Sequence, residues 1–128
     1  MTIASNPDSI LLVDALLEKI KKKYRLDNNL FSSMLITVNE AVTNAIKHGN
    51  LNDPSKTVTV AFRRSSSGVF IFTITDQGKG FNWQHAEAEI SKDRKTEEGG
   101  RGLLIMDKLT DKHLFNKKGN SVALHFIA

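Results

Sequence analysis

Glu40 and Asn44 stand four residues apart in the string Asn39-Glu40-Ala41-Val42-Thr43-Asn44-Ala45-Ile46-Lys47-His48-Gly49. On a helix that spacing puts both side chains on one face, opposite the stripe that holds Val38 and Val42. Thr37, Lys47 and His48 flank the pair. A carboxylate placed there suits a base or the support of a metal ligand, and an amide oxygen is a hard donor suited to magnesium. Taken alone, the pair is more simply an exposed helix face holding one Glu and one Asn.

Two further clusters could do chemistry. Asp76-Gln77-Gly78-Lys79-Gly80 follows a β-branched, aromatic run. An Asp at a strand end can accept a hydrogen bond from an exocyclic amine, and glycines let a backbone approach closely. An ordinary glycine-rich turn explains this segment about as well. Gly99-Gly100-Arg101-Gly102-Leu103 opens a helical pattern. Backbone N–H groups at a helix N-terminus bind phosphate, although a glycine triplet alone is weak. The spacing fits neither a dinucleotide fingerprint nor a Walker A loop.

The elements that must position these residues follow from periodicity. Asn6-Pro7-Asp8-Ser9 reads as a helix start capped by Asp8 or Ser9. Ile10, Leu11, Val13, Leu16, Leu17 and Ile20 then recur at helical spacing to about Lys23. A second helix starts at Asp27-Asn28-Asn29 and carries Phe31, Met34, Leu35, Val38, Val42, Ala45 and Ile46 to His48, with Gly49 as its stop. Thr57–Arg64 alternates as a strand, Ser65–Gly68 turns, and Val69–Thr75 returns. Gln77 to Gly102 carries five of the eight glycines. Its polar middle, Trp83 to Glu98 with a weak helical tendency at His85–Ile90, is expected to be a mobile cover. A helix at Leu103–Leu109 and strands at His113–Asn116 and Ser121–Ile127 complete the pattern. Hairpin strands with segregated helices predict an α+β, two-layer sandwich, with helices on one face of a mixed, mostly antiparallel sheet.

Composition bounds the class. At 128 residues the chain is expected to form one domain, 1–128. It has no cysteine, so disulfides and thiolate metal sites are excluded. The N-terminus lacks a signal-peptide pattern and no apolar run reaches membrane-spanning length, so a cytoplasmic protein with no membrane association is expected. The net charge is +4. Its densest cluster, Lys19, Lys21, Lys22, Lys23 and Arg25, falls at a helix end where cations suit the macrodipole. Direct nucleic-acid binding is not expected, because the cations lack interleaved aromatics.

The three clusters in this order resemble the N-box and the two glycine boxes of the superfamily that joins DNA gyrase, histidine kinases and the MutL mismatch-repair proteins. Glu40-x-x-x-Asn44, Asp76-x-Gly78-x-Gly80 and Gly100-x-Gly102-Leu103 match its pattern. Within it, Glu40 to Gly49 and Gly100-Arg101-Gly102-Leu103-Leu104-Ile105-Met106-Asp107 look like the corresponding segments of anti-sigma-factor serine/threonine kinases. The resemblance runs from about Asp8 to Ile127. Two departures are a short N-terminal segment, Met1 to Ser5, where the family has a longer first strand, and a basic rather than acidic balance.

The resemblance implies a Bergerat-type ATP-binding fold with ATP and Mg²⁺ as cofactors. Asp76 would hold the adenine amino group and Asn44 would ligate Mg²⁺. His48, Gly78, Gly80, Gly100, Arg101, Gly102 and Leu103 would complete the nucleotide site. Glu40 would be catalytic, orienting or deprotonating an acceptor serine or threonine. The implied partners are an antagonist protein that carries this hydroxyl and a sigma factor, with a homodimer as a further expectation. The alternatives are a regulatory module that binds ATP without transferring phosphate, and a stand-alone histidine-kinase-type catalytic domain. The latter usually has a phospho-accepting helix pair upstream.

Overall fold

The computed structural model describes residues 1–84 and 100–128, without the side chains of residues 100–102. Strand β1 (Thr2–Ala4) leads through a short 3₁₀ turn (Pro7–Ser9) into helix α1 (Ile10–Tyr24). Helix α2 (Asn28–Asn44) continues into one π turn (Ala45–Gly49). The hairpin β2 (Thr57–Arg64) and β3 (Val69–Thr75) comes next. Helix α3 (Gly100–Leu109) precedes a second hairpin, β4 (Lys112–Phe115) and β5 (Ser121–Ile127).

Local chemistry explains the helix ends. Asp27 accepts a hydrogen bond from the Leu30 N–H at 2.7 Å and caps α2. Ser9 precedes α1 but makes no capping bond; Asn6 instead accepts from the Asp8 N–H at the 3₁₀ turn. Arg25, at φ 52°, ends α1 in the left-handed region. The preceding turn carries Lys21, Lys22 and Lys23 against the unpaired carbonyls. Two of these cations also lie over aromatic rings, Lys21 on Phe31 at 4.5 Å and Lys23 on Tyr24 at 5.3 Å.

The strands form one sheet in the order β1-β2-β3-β5-β4. The expected α+β sandwich is present, and among the described residues every strand pairing is antiparallel. Alternation fixes the register. Val58, Val60, Phe70, Phe72, Ile74, Val122, Leu124 and Phe126 are all buried. They face Val13, Leu17, Met34, Val38, Val42 and Ile46, which are buried on α1, α2 and the π turn. Leu11, expected in the buried stripe of α1, is instead exposed. β4 starts one residue before its expected His113. Strand β1 is absent from the periodicity reading; at three residues it is too short to show alternation. It is fixed by pairing, with Ile3 opposite Val58 and buried. No helix among the described residues is long and apolar enough to cross a membrane.

Candidate functional site

An open cavity lies where α2, its π turn and α3 meet the ends of β3 and β5. Asn44, His48, Asp76, Gly80 and Leu103 all line it, although they come from three separated stretches of the chain. Ile74, Leu103 and Met106 are its buried apolar wall.

The π turn governs how α2 meets this cavity. The Asn50 N–H donates to the Ala45 carbonyl at 2.8 Å, five residues back. Such turns often mark functional positions within α-helices. Asn44 stands at the junction, half-buried, and its side chain makes no capping bond. His48 lies exposed on the turn itself.

Asp76 leaves β3 held on both sides. Its N–H donates to the Asn120 carbonyl at 2.9 Å, and Asn120 Nδ2 donates to the Asp76 carbonyl at 3.0 Å. The carboxylate accepts from the Gly78 N–H at 2.7 Å. It is wedged beside Gly49, where an added Cβ would sit 2.7 Å from Oδ1 and overlap the rest of the group. Burial raises the Asp76 pKa above the usual carboxylate value; the Gly78 N–H and the positive charges of Lys118 and Lys56 oppose that rise. An acceptor held this firmly, half out of water, suits a hydrogen-bond donor on a ligand.

The remaining sequence candidates fall in different places. Glu40 is half-buried on α2, one turn before Asn44, and is not part of the cavity lining. Gly78 is buried behind Asp76 and shapes the site from outside the lining. Gly100, Arg101 and Gly102 form the first turn of α3, ahead of Leu103; the Arg101 side chain lies outside the described residues. Thr37 does not flank the site: it is fully buried, and its hydroxyl donates to the Ser33 carbonyl at 2.7 Å. Lys47 points away and lines a separate small groove with Pro7, Ile10, Thr43 and Ile46.

Several lining residues escape the sequence reading. Asn120, Ser121 and Gly119 reach the cavity from the β4–β5 turn, and Phe81 and Phe115 border it with aromatic surface. Phe81 meets Phe115 edge to face at 5.2 Å, and Trp83 stacks on Phe115 at 5.7 Å. Trp83 Nε1 also donates to the Asn116 carbonyl at 3.0 Å. The first residue of the expected cover is therefore anchored, and 85–98 of that segment lie outside the described residues. A Gly-Asn pair in a hairpin turn signals the turn, but nothing local signals that it abuts Asp76.

Among the described residues no group of three or more His, Cys, Asp or Glu could hold a metal ion. Asn44 offers a single carbonyl oxygen. That donor set fits a magnesium ion whose ligands are chiefly phosphates and water, as is usual for this cation.

The family profile described as histidine kinase-like ATPase domain matches residues 3–126. The chain is 34% identical over 93 residues to the anti-sigma F factor of Anoxybacillus flavithermus, covering 70% of this chain and 63% of that protein. It is 22% identical over 131 aligned positions to the serine-protein kinase RsbW of Bacillus subtilis, covering 97% and 81%. It is 35% identical over 85 residues to the anti-sigma F factor of a Geobacillus strain, covering 65% and 58%. The matched stretch thus spans less than two thirds of either anti-sigma F factor.

Proposed function

Because this chain belongs to the histidine kinase-like ATPase domain family, we propose that it binds Mg-ATP in the cavity and phosphorylates a serine or threonine of an antagonist protein. The setting is a cytoplasmic partner switch in which the same protein grips a sigma factor. The observation that carries this reading is the convergence of Asn44, His48, Asp76 and Gly80 on one cavity.

Each residue has a role in that reading. Asp76 accepts a hydrogen bond from the adenine amino group. Asn44 supplies its carbonyl oxygen to Mg²⁺, which neutralises phosphate charge when bound. The first turn of α3, Gly100 to Gly102, offers backbone N–H groups to the phosphates, where the helix dipole adds to their pull. Glu40 orients the acceptor hydroxyl or takes its proton. The acceptor oxygen forms a bond to the γ-phosphorus, the bond from that phosphorus to the bridging oxygen breaks, and ADP leaves. Phosphoryl transfer depends mainly on positioning and charge neutralisation, so this small set suffices. The names of the relatives, two anti-sigma F factors and a serine-protein kinase, support the choice of partner and acceptor.

A second reading has its own support. Glu40 stands outside the cavity lining, as it would in a module that holds ATP and transfers nothing. One assay separates the two: γ-labelled ATP is incubated with the protein and purified candidate antagonists from the same host. Phosphoserine or phosphothreonine on an antagonist supports the kinase. Tight Mg-ATP binding with no transfer to any of them supports the binding module.

A further inference from the structure

Asn50 belongs to none of the three motifs, yet it is fully buried at 0% exposure beside the site. Its Nδ2 donates to the Ser5 hydroxyl at 2.7 Å and to the Thr57 carbonyl at 2.9 Å. Its Oδ1 accepts from the Gln77 N–H at 2.8 Å. These contacts fix the amide's orientation, because a flipped amide would set N–H against N–H at Gln77 and oxygen against oxygen at Thr57. The Asn50 N–H meanwhile closes the π turn. One side chain therefore joins the chain just after β1, the start of β2 and the residue next after Asp76.

Gln77 relays the restraint. Its N–H is held by Asn50, and its own Oε1 accepts from the Thr57 N–H at 2.7 Å. Asp76, one residue earlier, is clamped to Asn120 by two backbone-directed bonds. With Gln77 free, the peptide between the two residues could turn and carry the carboxylate with it. With Gln77 held, the carboxylate stays lodged between Gly49 and Gly78.

We propose that Asn50, acting through Gln77, is a positioning residue that aims the Asp76 carboxylate at a purine's exocyclic amine and so sets the site's preference for adenine over guanine nucleotides. The proposal rests on the reading that Asp76 receives that amine. A carboxylate held in place accepts from the adenine amino group and opposes the guanine carbonyl oxygen. A carboxylate free to swing does neither well, since discrimination of this kind depends on a polar group that cannot relax away from the wrong ligand.

The test compares magnesium-dependent affinities of the full chain for ATP, GTP and purine riboside triphosphate, which lacks the amino group. Wild type should prefer ATP over both. Asn50→Ala should weaken ATP by about tenfold, the scale of one lost charge-assisted bond, and leave purine riboside triphosphate unchanged. Gln77→Ala alters an exposed side chain and should fold; its preference for ATP should fall about threefold, in line with loss of a weaker neutral bond. If Asn50→Ala does not fold, Asn50→Ser takes its place, since it keeps a polar group there but withdraws the acceptor from the Gln77 N–H. A preference unchanged in Gln77→Ala and in any folded Asn50 variant overturns the proposal. So does an Asn50→Ala protein that weakens all three nucleotides alike, as a merely structural residue would. A wild type that binds ATP and purine riboside triphosphate equally instead removes Asp76 from amine recognition, and with it the underlying reading.

Discussion

A Cβ placed on Gly78 would lie 2.6 Å from the carbonyl carbon of Gly49, with the Gly49 oxygen nearer still. The obstacle is backbone and cannot rotate aside. The π turn and the Asp76 loop are thus in direct main-chain contact, and the two clusters that carry Asn44 and Asp76 are set at a fixed separation. Gly78→Ala should force the loop outward. It should cost about 1–3 kcal/mol of stability, the range for overpacking, and reduce ATP affinity by at least about tenfold through displacement of Asp76. Urea unfolding and calorimetry together check this. Unchanged ATP affinity would show that the loop relaxes without moving the carboxylate.

Asp76→Asn should separate binding from stability. The amide presents a donor where an acceptor is needed, so ATP affinity should fall by roughly tenfold or more. Stability should move the other way. Burial raises the pKa of Asp76 in the folded state, so its carboxyl contribution is fully present below the unfolded carboxylate pKa. That contribution is lost as pH rises through the folded value. Near neutral pH the wild type bears the cost of a partly desolvated charge, and the Asn variant should melt no lower than wild type. The difference should close as pH falls into the carboxylate range. A variant that melts well below wild type at neutral pH would contradict this.

Glu40→Ala should leave ATP affinity within about twofold, because Glu40 is outside the cavity lining. Transfer to the antagonist should drop by about two to four orders of magnitude, the usual loss on removing a positioned base. A variant that transfers at the wild-type rate would take Glu40 out of the mechanism.

Trp83 is the sole tryptophan, and it stacks on Phe115, a residue of the cavity wall. ATP titration should therefore change its fluorescence in a saturable way, and Asp76→Asn should shift the titration midpoint upward. An emission spectrum indifferent to saturating ATP would mean that nucleotide leaves the Phe81–Phe115–Trp83 cluster undisturbed.

The parts of this fold that were legible in the sequence are those whose signal is local. Thr57–Arg64 alternates, Val69–Thr75 is β-branched and aromatic, and both, like Ser121–Ile127, form strands with those bounds. Asp27 announces the start of α2 by its capping chemistry. The π turn is silent, because Ala45 and Ile46 continue the apolar stripe of α2 and are buried as a regular helix would bury them. Gly49 reads as a helix stop, and its contact with Asp76 exists only in the folded chain. The same holds for Asn50 and Asn120, whose partners are distant in sequence. Spacing puts Glu40 and Asn44 on one helix face and the family resemblance adds Asp76, whereas the residues that hold them in place are tertiary and carry no motif.

The π turn also sets how this chain tolerates a change in length. One hydrogen bond there closes over five residues where a regular α-helix closes over four. Deleting a single residue between Ala45 and Gly49 would let the helix run on in ordinary phase, a change that local energetics favour. The chain from Asn50 onward would keep its place, because the Asn50 N–H could close on the Ala45 carbonyl as an ordinary α-helical bond, while the residues inside the turn would be redistributed and His48 would move relative to the cavity. Such a deletion is the kind that passes for benign in a survey of helix content or expression. The product would be a well-formed helix that lacks the residue its binding site had made room for.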